Sequence, residues 1–392
     1  MNTNSTQEES FAKSDQESKK LLAGTLTISN PYKPPQGGPV DLWHSPAVIA
    51  PNNFVYKSLS NWAFNTAVGC SHGCRFCYVP SAATIKQGPA LARYGVIDAD
   101  AEWGDYVLLR PWDEKKFLAS LRAAETTPRA GLKRDGNRAI FFCSTTDPYQ
   151  VIHHPDPERA RHLQTHARFV LQRALELIRD QSTLNVRILT RSPLAKLDFD
   201  LYRSFGPRLL FGMSLPTLRN DFARVYEPKA PAPSQRLKTL QAAREAGLNV
   251  FVAMAPTYPE CDESDLRATL QALVPIQPTT IFHEPINVRA ENVARMQVEA
   301  VRLGLALQTD VFATRESWQD YAVESLRTVE RIAAELGQGA CLHLWPDKSL
   351  GSKQAVQKIA TRRGEEPAHF MSWLETCWTR ISEWPASDTP VM

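Results

Sequence analysis

The chain has 392 residues, 43% of them hydrophobic and 22% charged, and Lys+Arg 45 against Asp+Glu 42 leave a formal charge of +3. That is globular composition, with length for one large α/β domain or two smaller ones. So even a balance excludes a polyanion binder driven by the field of the whole molecule; a nucleic-acid site would have to be local.

In chain order, residues 1–20 are polar and rich in Ser, Gln, Glu and Lys, and are expected to be disordered. They lack the apolar centre of a signal peptide, and no run of about 18 apolar residues follows, so the expectation is a cytoplasmic protein with no membrane segment. Residues 29–52 (SNPYKPPQGGPVDLWHSPAVIAPN) read as a Pro/Gly-rich extended segment, which makes 1–54 an N-terminal arm. From residue 61 onward, six short apolar or β-branched runs predict strands: AFNTAVG, AIFFCS (139–144), NVRILT (185–190), RLLFGMSL (208–215), LNVFVAMA (248–255) and TTIFHEP (279–285). Amphipathic stretches such as DEKKFLASLRAAE and PERARHLQTHARFVLQRALELIRD separate them and predict helices. Apolar strands alternating with helices imply a parallel sheet covered by helices. Six βα units fit a partial barrel or a doubly wound sheet. They make 55–310 the principal domain, and 311–392 a mainly helical C-terminal extension.

Polar residues gather where these strands end: Cys70 to Cys77 after the first, Ser144 to Asp147 after the second, Arg191 and Ser192 after the third, and Ser214 in the fourth. Pro256 and Thr257 end the fifth, and His283, Glu284 and Asn287 the sixth. In parallel βα folds that face holds the active site, because rigid strands position loops that are free to vary.

The sharpest feature is NTAVGCSHGCRFCY, which spaces Cys70, Cys74 and Cys77 as C-x3-C-x2-C. Three thiolates so close, with Gly69 and Gly73 for tight turns, can wrap a small metal centre of zinc, copper(I) or iron and sulfur. No fourth cysteine is near. A closed zinc site would need His72 as its last ligand, whereas a cubane held by three cysteines keeps one iron open. Cys261, Cys341 and Cys377 stand singly and give no second cluster.

With Phe76 before the last cysteine and Tyr78 after it, at the start of a six-unit βα array, this motif resembles the radical S-adenosylmethionine (SAM) superfamily. Within it, NWAFNTAVGCSHGCRFCY, STTDPYQ, TRSPL, MSLPTLRNDFARVYEPKAPAPSQRL and EPINVRAEN resemble the spore photoproduct lyase-like, DNA-repair-photolyase-related group over most of 55–290. The resemblance implies an α/β fold, a partial (β/α)6 TIM-type barrel, carrying one [4Fe–4S] cluster on Cys70, Cys74 and Cys77. It implies reductive cleavage of SAM to a 5′-deoxyadenosyl radical that takes hydrogen from a substrate, with a DNA lesion as one candidate. RNA, a peptide or a metabolite are the alternatives, and a non-catalytic zinc or iron–sulfur module is the alternative of another class. Implied too is an external one-electron donor of flavodoxin or ferredoxin type.

Carried onto this chain, Arg191 would pair the SAM carboxylate, Thr146 and Ser214 would contact SAM, and Tyr78 would lie by the adenine. Asp147 and Glu227 are either ligand contacts or structural. The lyases of the group return hydrogen from a second-strand cysteine; that position is Ser144 here, with Cys143 just before it. Since adjacent strand side chains face opposite ways, Cys143 is either a hydrogen donor brought inward or a core residue. Arg129, Lys133, Arg134 and Arg138, and Arg159, Arg161, Arg168 and Arg173 on the next helix, are candidate phosphate contacts or solvated surface. Trp62, Trp103, Trp112 and Trp345 could stack bases or pack.

Overall fold

The computed structural model describes residues 38–52, 59–132, 138–289 and 291–381. Its main sheet has eight strands in the order β11-β10-β9-β8-β7-β6-β3-β2. These are β2 (Ile49–Pro51), β3 (Trp62–Phe64), β6 (Ala139–Phe142), β7 (Asn185–Thr190), β8 (Leu209–Ser214), β9 (Val250–Thr257), β10 (Thr280–Pro285) and β11 (Leu342–Leu344). From β3 to β11 every pairing is parallel, and only β2 runs antiparallel, against β3. Each strand lies beside its predecessor with no reversal of order, which is barrel winding; a doubly wound sheet would reverse about a switch point. The sheet does not close, so the expected partial barrel stands.

Five of the six predicted strands form as read, and the remaining run is divided between two sheets. AFNTAVG is not one strand: β3 ends at Phe64, Asn65 and Thr66 turn the chain, and β4 (Ala67–Gly69) leaves for a second sheet of order β1-β5-β4 with β1 (Val40–Leu42) and β5 (Val107–Leu109). The Pro/Gly-rich arm therefore supplies β1 and β2 through its described part, residues 38–52, and is not merely extended. Residues 1–37, including the segment expected to be disordered, lie outside the described residues. In the C-terminal extension, LHL at 342–344 pairs with β10 as a seventh parallel strand among helices.

Helices α1 (Glu114–Glu125), α2 (Pro157–Gln181), α3 (Asn220–Tyr226), α4 (Pro233–Glu245), α5 (Glu263–Leu273), α6 (Asn292–Leu303), α7 (Arg315–Glu335), α8 (Lys353–Arg363) and α9 (Pro367–Ile381) complete the layers. Asp113 caps α1 by accepting the Lys116 N–H, and Asp156 caps α2, whose first residue is Pro157. Strand alternation divides the core. Phe142, Ile188, Phe211, Val252 and Ile281 point outward into the main core beneath the helices, whereas Phe141, Leu210, Phe251, Phe282 and Trp345 fill the bore. Gly212 makes room for this filling, since a Cβ there would lie 2.3 Å from the Phe251 ring. A third cluster, formed by Trp43, Val68, Tyr94, Trp103, Tyr106 and Leu108, surrounds Cys70. No described helix is long and apolar enough to cross a membrane.

Candidate active site

The three cysteines follow β4 in a tight double turn. The Gly73 N–H bonds to the Cys70 carbonyl at 3.4 Å and the Cys77 N–H to the Cys74 carbonyl at 3.1 Å. Gly69 (φ +90) lies under Tyr106, where a Cβ would come within 2.2 Å of the carbonyl oxygen, and Gly73 (φ +55) meets Gly104 backbone to backbone. Both glycines are thus demanded by conformation and by space. All three thiols are free of disulfides; Cys70 and Cys74 are buried and Cys77 half-buried. Burial pushes each thiol's pKa upward, that of Cys74 to about 12. The backbone N–H groups of His72 and Val79 point to the sulfurs of Cys70 and Cys77.

The loop after β6, STTDPYQ, latches onto this turn. Thr146 Oγ1 donates to the Gly69 carbonyl at 2.6 Å and accepts from Gln150 Nε2 at 2.8 Å, while Gln150 Oε1 accepts the Ser71 N–H at 2.7 Å. Buried Asp147 accepts the N–H groups of Tyr149 and Arg191 and the Thr190 hydroxyl, at 2.7–2.8 Å, and faces His72 Nδ1 at 3.4 Å. The ends of β6 and β7 and the cysteine turn are therefore one unit. His72, half of the zinc alternative, is engaged with Asp147; burial lowers its pKa.

On the other side lies a buried ion triad. Glu227 accepts from Arg191 Nε through Oε1, and its Oε2 lies 2.5 Å from Arg236 Nη1. Arg236 also donates to the carbonyls of Pro231 at 2.8 Å and Ser214 at 3.2 Å. Burial would raise the Glu227 pKa, but Arg236 and Arg191 hold it below the usual carboxylate range. Two guanidiniums share one carboxylate, so a positive charge is left over beside the thiols. Arg191 also stands over the Phe76 ring, 5.7 Å from its centroid. Helix α6, which begins at the last residue of EPINVRAEN, supplies a clamp: Arg295 donates to the carbonyls of Cys77 at 2.6 Å and Arg75 at 3.1 Å, Asn292 to that of Phe76 at 3.4 Å, and Glu299 pairs with Arg75.

The sequence-predicted residues divide accordingly. Arg191 and Glu227 come together near Cys74. Tyr78 reaches the Ser144 carbonyl at 3.3 Å, beside Asn65, which donates to Ser144 Oγ at 3.2 Å. Thr146 spends its hydroxyl on the turn, and Ser214 lies buried with its hydroxyl 3.4 Å from the Ala255 carbonyl. Ser144 is half-buried, while Cys143 is buried with its sulfur 3.6 Å from Thr66 Oγ1, and burial pushes its thiol up to about 12. Arg138, Arg159, Arg168 and Arg173 pair with Glu125, Asp41, Asp198 and Glu114. Lys133 and Arg134 lie outside the described residues. Trp62 and Trp103 are buried, Trp112 packs on Phe117, and Trp345 on Phe282. Sequence reasoning missed Arg236, Gln150, Asn292 and Arg295; the first three stand in runs it quoted without assigning them roles, and Arg295 lies three residues beyond EPINVRAEN.

The donor set fits an iron–sulfur cluster. Buried thiols with raised pKa values require a cationic centre before they ionise, backbone N–H groups already face two of the sulfurs, and a surplus guanidinium lies beside the third. Among the described residues no three His, Cys, Asp or Glu side chains converge on a single-ion site. Fold and donor set together fit an iron–sulfur protein built on a partial βα barrel. Residues 64–273 match the Radical SAM superfamily, and the chain belongs to that superfamily. An uncharacterized protein of Acidianus two-tailed virus, ORF301, is 31% identical over 260 residues, spanning 63% of this chain and 77% of the relative. Among solved structures, an alanine mutant of spore photoproduct lyase superposes with a TM-score of 0.54 at 13% identity, covering 85% of this chain and 94% of that one. A mutant of the same enzyme with bound AdoMet and dinucleoside spore photoproduct gives 0.53 at 13% identity, covering 78% and 81%. At such identities the likeness is one of fold. The cofactors are a [4Fe–4S] cluster and SAM, and the chemistry draws its electron from an external donor.

Proposed function

We propose that this protein is a radical SAM enzyme of the spore photoproduct lyase-like group, with Cys70, Cys74 and Cys77 as cluster ligands and a DNA lesion as the first substrate to test. The observation that carries the reading is the convergence of the three-cysteine turn, latched to the loop after β6, with the Arg191–Glu227–Arg236 triad that begins at the carboxyl end of β7. When bound, the cluster supplies one electron to the SAM sulfonium, and cleavage of its C–S bond gives the 5′-deoxyadenosyl radical. The protein's own part is to hold the two together. Arg191 is the group for the SAM carboxylate, because the triad's surplus charge is nearest Cys74. Tyr78, next to the last cysteine and bonded to the Ser144 carbonyl, is the residue this reading assigns to the adenine. Thr146 acts through the turn it holds, and Ser214 through the Arg236 that its carbonyl receives.

The test is anaerobic incubation of reconstituted protein with dithionite and SAM, alone and then with ultraviolet-damaged DNA. 5′-Deoxyadenosine in the first arm and restored thymine in the second support both parts of the reading. Its absence from the first arm would overturn the enzyme assignment. Arg191→Ala should weaken SAM binding by about 1.5–3 kcal/mol, a charge-assisted hydrogen bond, with iron content unchanged; unaltered affinity in equilibrium dialysis would remove Arg191 from the site.

A second reading keeps the chemistry and changes the substrate to RNA, a peptide or a metabolite. The half-buried Ser144 favours it, because the neighbouring thiol of Cys143 is turned to Thr66. A hydroxyl does not give up a hydrogen atom as a thiol does. On this reading Cys143→Ala leaves SAM cleavage and product distribution unchanged and costs about 1 kcal/mol of stability for a buried sulfur. Clean thymine repair by the wild type that turns to side products in the variant would instead make Cys143 the hydrogen donor.

A further inference from the structure

The cluster turn is bounded by three charged side chains: Asp147 by Cys70, Arg191 by Cys74 and Cys77, and Arg295 by Cys77, whose carbonyl it holds. Asp147 is engaged in its hydrogen bonds, and Arg191, in the triad with Glu227, is the group assigned above to the SAM carboxylate. Arg295 is different. It comes from α6, outside the strand-end loops, and its side chain is only 9% exposed. Its planar fork is spent on two backbone carbonyls of the turn, those of Arg75 and Cys77. A buried guanidinium stays protonated, so its charge is permanent.

Its counter-charge sits farther out. Arg295 pairs with Asp100, whose side chain is 20% exposed and also accepts from Ser81 Oγ at 2.6 Å. Arg295 is the member of the pair that touches the turn, through the Arg75 and Cys77 carbonyls, while the carboxylate lies on the far side of the guanidinium from them. A cluster on the three cysteines would therefore feel a net positive field from this pair. The reduction potentials of iron–sulfur centres follow net charge, hydrogen bonding and solvent exposure around them.

We propose that Arg295 is a positioning residue that holds the Cys77 end of the turn and sets the cluster's reduction potential through its fixed charge, with Asp100 as the opposing trim. The proposal rests on the reading that Cys70, Cys74 and Cys77 bind the cluster. Failure of that reading shows as wild-type protein that reconstitutes without a visible-absorbing cluster; failure of the present proposal shows only in the variants.

The test is a redox titration of the reconstituted holoprotein, read by the electron paramagnetic resonance signal of the reduced cluster. Arg295→Gln removes the positive charge and should lower the reduced-to-oxidised ratio at a fixed solution potential about tenfold, a downward shift of about 59 mV for a one-electron couple. Asp100→Asn leaves Arg295 uncompensated and should shift the potential upward. Arg295→Lys keeps the charge but not the fork, and should stay within threefold of wild type in that ratio while losing iron faster to a chelator. A merely structural role admits water in every case and moves all three potentials the same way. Equal shifts in the Lys and Gln variants, or shifts of one sign in Arg295→Gln and Asp100→Asn, would overturn the proposal. If Arg295→Gln does not hold its cluster, Asp100→Asn decides alone, and an unchanged or lowered potential counts against it.

Discussion

Replacing any one of Cys70, Cys74 or Cys77 by alanine is expected to abolish both the broad visible absorbance of the reconstituted protein and the formation of 5′-deoxyadenosine. On the proposed assignment each thiol would hold a different iron of a cubane, and among the described residues the nearby donors are engaged elsewhere: His72 is bound up with Asp147, and Cys143 lies against Thr66. The fold should survive. The turn is fastened by Gln150, Thr146, Arg295 and Asn292 through backbone atoms, none of which the substitution touches. Iron analysis, absorbance and circular dichroism therefore separate the two outcomes. A variant with full iron and full activity would place the cluster elsewhere, while one that fails to fold would mean that the metal is needed to form the turn.

How far the sequence foretold this arrangement depends on the distance over which each signal acts. The strands β6 to β10 were legible because each is a buried apolar run flanked by helical periodicity, and the cysteine turn because its glycines and thiols are adjacent in the chain. The split of AFNTAVG at Asn65 was not. Whether a run crosses from one sheet to another depends on the partner, here β5, which lies about forty residues on. LHL at 342–344 is too short to announce a strand; the edge of β10 recruits it. The side-chain network was hidden for a related reason. Gln150, Arg236 and Arg295 are ordinary polar residues on helices and loops, and only the fold brings them to Ser71, Glu227 and Cys77. TTDPYQ and EPINVRAEN were visible as unusual runs at strand ends; that they fasten the turn emerges only from the hydrogen bonds.

The triad should be as consequential for stability as the cysteines are for chemistry. Glu227 is 2% exposed and Arg236 1%, so Glu227→Gln would leave the buried Arg236 and the half-buried Arg191 without a counter-charge, and unfolding in urea at neutral pH should show a loss of about 3–5 kcal/mol. The effect should depend on pH with a definite sign. The folded-state pKa of Glu227 lies below its ordinary value, so the stabilisation is fully present above the unfolded carboxylate range and fades as pH falls through the lowered value. The wild type should then lose stability steeply in acid and the variant less so, and the gap between them should narrow. Arg191→Met in the Gln background should recover part of the loss, because it removes one of the stranded charges, and the two substitutions should be far from additive. A loss under about 1 kcal/mol, below the range for a broken buried pair, would mean that water reaches Glu227 in solution. A gap that stays constant down to low pH would mean that shape, and not charge, is what Glu227 contributes.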